Sequence, residues 1–136
     1  MQITNFMAEQ PRAIVASFRE AGRRFREVGV AGREAVTLVG SGSSLNASLF
    51  AGHFIGEARV VPPADFLGRP RRKAEAGETV VVLTQSGASA TSVAAARKAR
   101  DEGAGVIVVT ANGNGTAAGL GLPTVLLPIG DEPIGP

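Results

Sequence analysis

Apolar residues along the chain fall into two distinct periods. Ile14, Val15, Phe18, Ala21, Phe25 and Val28 recur at three- and four-residue spacing, which predicts an amphipathic helix over residues 6–28. Pro11 fits the start of the main helix, because a first-turn amide has no intrahelical partner to lose. Ala35 to Val39 is instead a short continuous apolar run that ends in Gly40-Ser41-Gly42-Ser43-Ser44, the pattern of a buried strand entering a tight turn. Helical spacing resumes over 45–57 through Leu45, Leu49, Phe50 and Phe54. Arg59-Val60-Val61 reads as a short strand stopped by Pro62-Pro63. Thr79 to Leu83 is a third strand and Ser89 to Glu102 a helix closed by Gly103. Gly105 to Thr110 and Thr124 to Leu127 complete the strands. The small-residue stretch from Ala111 to Gly119 reads as a loop leading to a short helix.

Continuous apolar strands separated by helices mark a parallel sheet covered on both faces. The fold class is therefore α/β: a three-layer αβα open sheet of five mostly parallel strands, with an N-terminal helix at 6–28 and a core at 35–128. No repeat of solenoid length occurs. No helical pattern follows the last strand, so its edge is expected to be completed by further sequence or by a partner.

Composition narrows the function classes. The 136 residues suit one domain, and 44% hydrophobic with 4% aromatic gives a core of Val, Leu, Ile and Ala. Without Trp or Tyr the surface lacks the stacking platforms that single-stranded nucleic acid requires. A formal charge of +2 is no argument for a polyanion partner, and the one basic run, Arg69-Pro70-Arg71-Arg72-Lys73, reads as a solvated loop between strands. Zero cysteines and a single histidine, His53, exclude disulfides, thiolate chemistry and multi-histidine metal sites. No signal peptide or apolar run of membrane-spanning length is present, and the expected location is the cytoplasm.

Two turns carry the candidate chemistry. Gly40-Ser41-Gly42-Ser43-Ser44 follows the first strand and Thr84-Gln85-Ser86-Gly87-Ala88-Ser89 the third, and each leads directly into a helix. In an open parallel sheet ligands sit at the carboxyl ends of strands. A helix N-terminus there presents unpaired amides and partial positive charge, so amides and serine hydroxyls can hold a phosphate without lysine. Either turn alone is equally an ordinary cap, since Ser, Thr and Gly favour strand-to-helix junctions. Other phosphate and hydrolase motifs fail. Leu45 stands where a dinucleotide fingerprint needs its third glycine, no Gly-Lys-Ser/Thr is present, and no G-x-S-x-G occurs.

Three segments together resemble the sugar isomerase (SIS) domain, the phosphosugar-binding module of glucosamine-6-phosphate synthase and its relatives. Met7-Ala8-Glu9-Gln10-Pro11 is similar to the opening of the synthase's isomerase half, Gly42-Ser43-Ser44-Leu45-Asn46 to its first turn, and Thr84-Gln85-Ser86-Gly87-Ala88-Ser89-Ala90-Thr91 to its second. The resemblance covers essentially the whole chain and implies a flavodoxin-like SIS fold. It implies phosphosugar contacts from Gly42, Ser43, Ser44, Thr84, Gln85, Ser86, Gly87 and Ser89, with the backbone near Pro136 touching the sugar. Ala88 in place of the usual glutamate, and Leu45 in place of tyrosine or histidine, leave the exact sugar open.

Isomerisation needs a general base and a ring-opening group. In the family these come from a second SIS domain or a neighbouring subunit. Within this chain the candidates are His53, which also reads as a packing or interface residue, and Glu132, which with Asp131 also reads as an exposed terminal pair. The expected function is phosphosugar binding as part of an isomerase, aminotransferase or deaminase. The alternative is a non-catalytic phosphosugar-sensing domain of a regulator, which would carry a DNA-binding helix-turn-helix. No cofactor, metal, nucleic acid or membrane partner is implied. A homodimer or a second SIS domain is the expected assembly.

Overall fold

The computed structural model describes residues 3–27, 35–56 and 58–129. Five strands, β1 (Ala35–Val39), β2 (Arg59–Val61), β3 (Glu78–Leu83), β4 (Gly105–Thr110) and β5 (Thr124–Leu126), form one sheet in the order β2-β1-β3-β4-β5. All neighbouring pairs run parallel, for example with Leu38 opposite both Val60 and Val81. This is the flavodoxin-like order, in which the direction of chain winding reverses between β1 and β3 and opens a crevice at their carboxyl ends.

Strand residues alternate between two apolar layers, so each run of consecutive valines serves both faces of the sheet. Val39, Val80, Val82, Val106 and Val108 pack under α4 (Ala90–Asp101) and the short α3 (Pro63–Gly68), whose Phe66 is buried. Leu38, Val81, Ile107 and Val125 face the other way. There they meet Ala21 and Phe25 of α1 (Ile3–Glu27) and Ala51 of α2 (Ser43–Gly52). Arg24 Nε donates to the carbonyl of Thr124 at 3.0 Å and ties α1 to the edge strand β5. Ala95, Ala96 and Ala99 are fully buried. Their small side chains let α4 approach the β3–β4 surface closely.

The structure departs from the sequence reading in several places. The leading helix begins at Ile3 and runs through Pro11. Pro11 has no amide to donate, and its neighbours continue the helical path on either side. Helix α2 begins at Ser43 and ends at Gly52, shorter at its C-terminal end than the expected 45–57. Glycine costs about 1 kcal/mol in a helix, and Gly52 and Gly56 bracket its end. Pro62-Pro63 stops β2 but also starts α3, because proline at the first helical position loses nothing. A single 3-10 turn at Ala118–Leu120 is what the small-residue stretch leads into.

The basic run is not a solvated loop throughout. Arg69 reaches Glu102 at 2.8 Å and Arg72 reaches Glu78 at 2.6 Å, both glutamates being buried. Lys98 also meets Glu102, at 2.6 Å. The Arg69 guanidinium carbon lies 3.8 Å from the Phe66 ring centroid. Two charges of the run are thus consumed in closing the end of the sheet opposite the crevice.

Candidate functional site

A cleft of about 260 Å³ opens at the carboxyl ends of β1, β3 and β4. Its polar side is made by Ser43 and Ser44 in the first turn of α2, Thr84 and Gln85 after β3, and Thr110 at the end of β4. Ala47, Leu83, Val109, Leu127 and Ile129 form the apolar wall. Among the described residues no charged side chain lines it.

Each polar group is delivered by a local feature of the sequence. Gly42 takes φ 57°, in the left-handed region that glycine tolerates, and turns the chain from β1 into α2. As N-cap it offers no side chain, so the first-turn amides of α2 are left to backbone, solvent or ligand. Ser48 Oγ donates to the carbonyl of Ser44 at 2.8 Å and fixes the same turn from below. The hydroxyls of Ser43, Ser44 and Thr84 and the side-chain amide of Gln85 make no hydrogen bond to another described residue. Thr84 itself is buried, its amide donating to the carbonyl of Val109 at 2.9 Å.

The rest of the second turn sits beside the cleft. Ser86 is exposed, and its Oγ accepts from the Ala88 amide at 3.3 Å. Gly87 is buried at φ 65°. Ser89 is the N-cap of α4 and its Oγ accepts from the Ser92 amide at 3.4 Å. That bond alone accounts for a serine here, since removing such a cap costs about 1 kcal/mol.

The structure therefore brings Ser43, Ser44, Thr84 and Gln85 into one cleft, with Gly42, Ser86, Gly87 and Ser89 on the two turns that frame it. His53 lies at the opposite end of α2, exposed at its C-cap. Ten helical residues separate it from the cleft by ~15 Å. Glu57, Asp131, Glu132 and Pro136 lie outside the described residues.

Two residues at this site carry no signal in the sequence pattern. Thr110 Oγ1 donates to the carbonyl of Gln85 at 3.1 Å, and Asn112 Nδ2 donates to the carbonyl of Ser86 at 3.0 Å. Their partners lie some 25 residues away along the chain, beyond the reach of any spacing argument.

Comparison with known proteins gives the geometry its context. None of the curated proteins matches this chain. Among solved structures, a candidate phosphosugar isomerase from Clostridium difficile 630 superposes with a TM-score of 0.81 at 20% identity, over 97% of this chain and 39% of that one. The C-terminal domain of glucosamine-fructose-6-phosphate aminotransferase from Francisella tularensis gives 0.79 at 18% identity, over 95% of this chain and 40% of that one. The Vibrio vulnificus NanR protein complexed with ManNAc-6P gives 0.65 at 14% identity, over 88% and 49%. This chain spans about two fifths of the length of the first two. The SIS domain family model matches residues 31–134. With that match covering most of the sequence, and with the fold shared, the chain belongs to the SIS domain family.

Proposed function

We propose that the cleft binds a phosphorylated sugar, with Ser43, Ser44, Thr84, Gln85, Ser86 and Ser89 supplying hydrogen bonds and the turns at Gly42 and Gly87 supplying backbone amides. The observation that carries this reading is that the hydroxyls of Ser43, Ser44 and Thr84 and the Gln85 amide, unpartnered among the described residues, line one cleft at the first turn of α2. Hydroxyls and helix N-termini suit a dianion that must be held without a counter-charge. The backbone near Pro136 completes the sugar side in this reading. Membership of the SIS family, and structural neighbours that include a candidate phosphosugar isomerase and an aminotransferase domain, support it.

The domain acts as part of a phosphosugar isomerase, aminotransferase or deaminase whose longer chain or assembly supplies the base. Glu132 is near enough in sequence to the cleft segments to serve from the same chain. His53, at the far end of α2, serves only a partner's site. Phosphorylated sugars as ligands fit a cytoplasmic location. A second reading, a sensor domain that binds without turnover, is favoured by the NanR neighbour, whose structure contains ManNAc-6P.

Calorimetric titration with fructose 6-phosphate and glucosamine 6-phosphate tests the binding. Ser44→Ala is expected to raise Kd about tenfold, as loss of one hydrogen bond to a charged group costs ~1.5 kcal/mol. Unchanged affinity in this variant would remove the α2 turn from the site. Product formation by the full-length protein separates the enzyme from the sensor.

The same face of the molecule is prepared for assembly. Ile14 and Phe18 of α1, and Leu49 and Phe50 of α2 with Phe54 just beyond it, are large apolar residues left exposed, Phe18 by 81% and Phe54 by 76%. Phe50 and Phe54 pack against each other with ring centroids 5.2 Å apart. Large apolar side chains left exposed on two helices are candidates for interaction surfaces. A second SIS domain, in the same chain or in a second copy, covers them in this reading. Phe18→Asp combined with Phe54→Asp is expected to convert a sedimenting dimer to monomer while changing stability by less than ~1 kcal/mol, as for exposed positions generally. A wild-type monomer at tens of micromolar would assign the patch to a second domain in the same chain.

A further inference from the structure

The carbonyls of residues 84–87 in the second turn are all engaged. The Thr84 carbonyl accepts from the Gly87 amide at 3.2 Å. That of Gln85 accepts from the Ala111 amide and from Thr110 Oγ1, both at 3.1 Å. The Ser86 carbonyl accepts from Asn112 Nδ2 at 3.0 Å and the Gly87 carbonyl from the Ala117 amide at 2.8 Å. Three of the four are therefore held by the loop that follows β4. The amides of Gln85, Ser86 and Ser89 make no backbone bond among the described residues.

A peptide group is a dipole, so fixing its oxygen fixes its N–H. An anion is repelled by carbonyl oxygens and held by amides, and a run of amides turned the same way forms an anion-binding concavity. The loop after β4 is built to keep that orientation. Thr110 is fully buried and its hydroxyl is used twice, donating to Gln85 and accepting from the Asn112 amide at 3.1 Å. Asn112 Oδ1 in turn accepts from the Asn114 amide at 3.0 Å, which sets the side chain so that Nδ2 points at Ser86.

We propose that Thr110 and Asn112 are positioning residues for the phosphate: neither donates to it, and together they hold the Gln85–Ser86 carbonyls back so that the amides of the turn face the cleft. This rests on the phosphosugar reading of the cleft and adds to it a requirement from Thr110, at the end of β4 on the cleft wall, and from Asn112 just beyond it, which act on the turn rather than on the phosphate.

The test uses the chain as it stands, with inorganic phosphate and fructose 6-phosphate as probes, in calorimetry and in amide-resolved NMR. Asn112→Ala is expected to raise Kd for both probes by about tenfold, because the shared group is the phosphate. It should also move the Gln85–Ser89 amide signals of the ligand-free protein while leaving those of β1 and β5 in place. Thr110→Val should act in the same direction, and Thr110→Ser, which keeps the hydroxyl, should bind within about threefold of wild type. Variants that bind both probes like wild type, with the 85–89 amide signals unmoved, would overturn the inference and leave the phosphosugar site standing. Wild-type protein that is folded and binds neither probe would overturn the phosphosugar reading, and this inference with it.

Discussion

Glu102→Gln is expected to lower the thermal midpoint of the domain by about 10 °C. The Glu102 side chain is 1% exposed, at the end of the sheet opposite the cleft. It accepts from Lys98 at 2.6 Å, from Arg69 at 2.8 Å and from the Arg72 amide at 3.4 Å. Its backbone carbonyl also accepts from the Ala74 amide at 2.7 Å. Removing the charge leaves two cations partly buried around a neutral amide, and breaking such a pair costs ~3 kcal/mol. With an unfolding entropy of about 2 cal/mol/K per residue, that energy corresponds to the stated shift for a domain of this size. Burial by itself would push the Glu102 carboxyl up, but the Lys98 and Arg69 hydrogen bonds outweigh it and hold the group below its ordinary value of 4.5. A carboxylate lowered in the folded state stabilises fully above its unfolded value, and the contribution is lost as pH falls through the folded value. The gap between wild type and Glu102→Gln should therefore be widest near neutral pH and narrow as pH falls below the ordinary value of 4.5 and through the lower folded one. Melts followed by circular dichroism from pH 7 downwards check both statements, and a constant gap would show that the charge of Glu102 is not what holds this end together.

Gly115→Ala is expected to weaken the fold and the cleft at once. A β-carbon at Gly115 would stand 2.9 Å from Gly87 Cα and 2.9 Å from the Ser86 carbonyl oxygen, backbone atoms with no side-chain rotamer to yield. One of the two loops must shift, and overpacking of this kind costs ~2 kcal/mol. The shift falls on the turn proposed to hold the phosphate, so the affinity for fructose 6-phosphate should drop about tenfold or more along with the melting temperature. Gly113→Ala is the matched control, because a β-carbon there meets only the Leu126 side chain, at ordinary contact distance of 3.5 Å. Equal behaviour of the two variants would mean that the close approach of the loops is not what shapes the turn.

The sheet was legible in the sequence because a parallel strand buried on both faces is written as an uninterrupted apolar run. Val80, Val81 and Val82 alternate between the two core layers, and no polar residue breaks the pattern. The two hydroxyl-rich turns were legible as well, since each stands directly between such a run and a helix. Helix α3 was not, because Pro62-Pro63 stops a strand and starts a helix with the same residues. Nor could the pairing of Arg69 with Glu102 be read, or that of Asn112 with Ser86, since tertiary partners 33 and 26 residues apart leave no periodic trace. The exposed Phe18 and Phe54 satisfy the same helical spacing as core residues do. Periodicity identifies an apolar face, not what covers it.

Among the described residues the cleft walls carry no formal charge, and this bears on how the proposed site would meet its ligand. Coulombic attraction between ions reaches roughly 8 Å in physiological salt, whereas dipoles of amides and hydroxyls act only near contact. For a cleft with such walls, the affinity for a phosphosugar is expected to respond weakly to ionic strength, which titration at two salt concentrations checks. In the phosphosugar reading proposed above, selection would rest on the fit of the sugar against the apolar wall of Ala47, Val109 and Leu127.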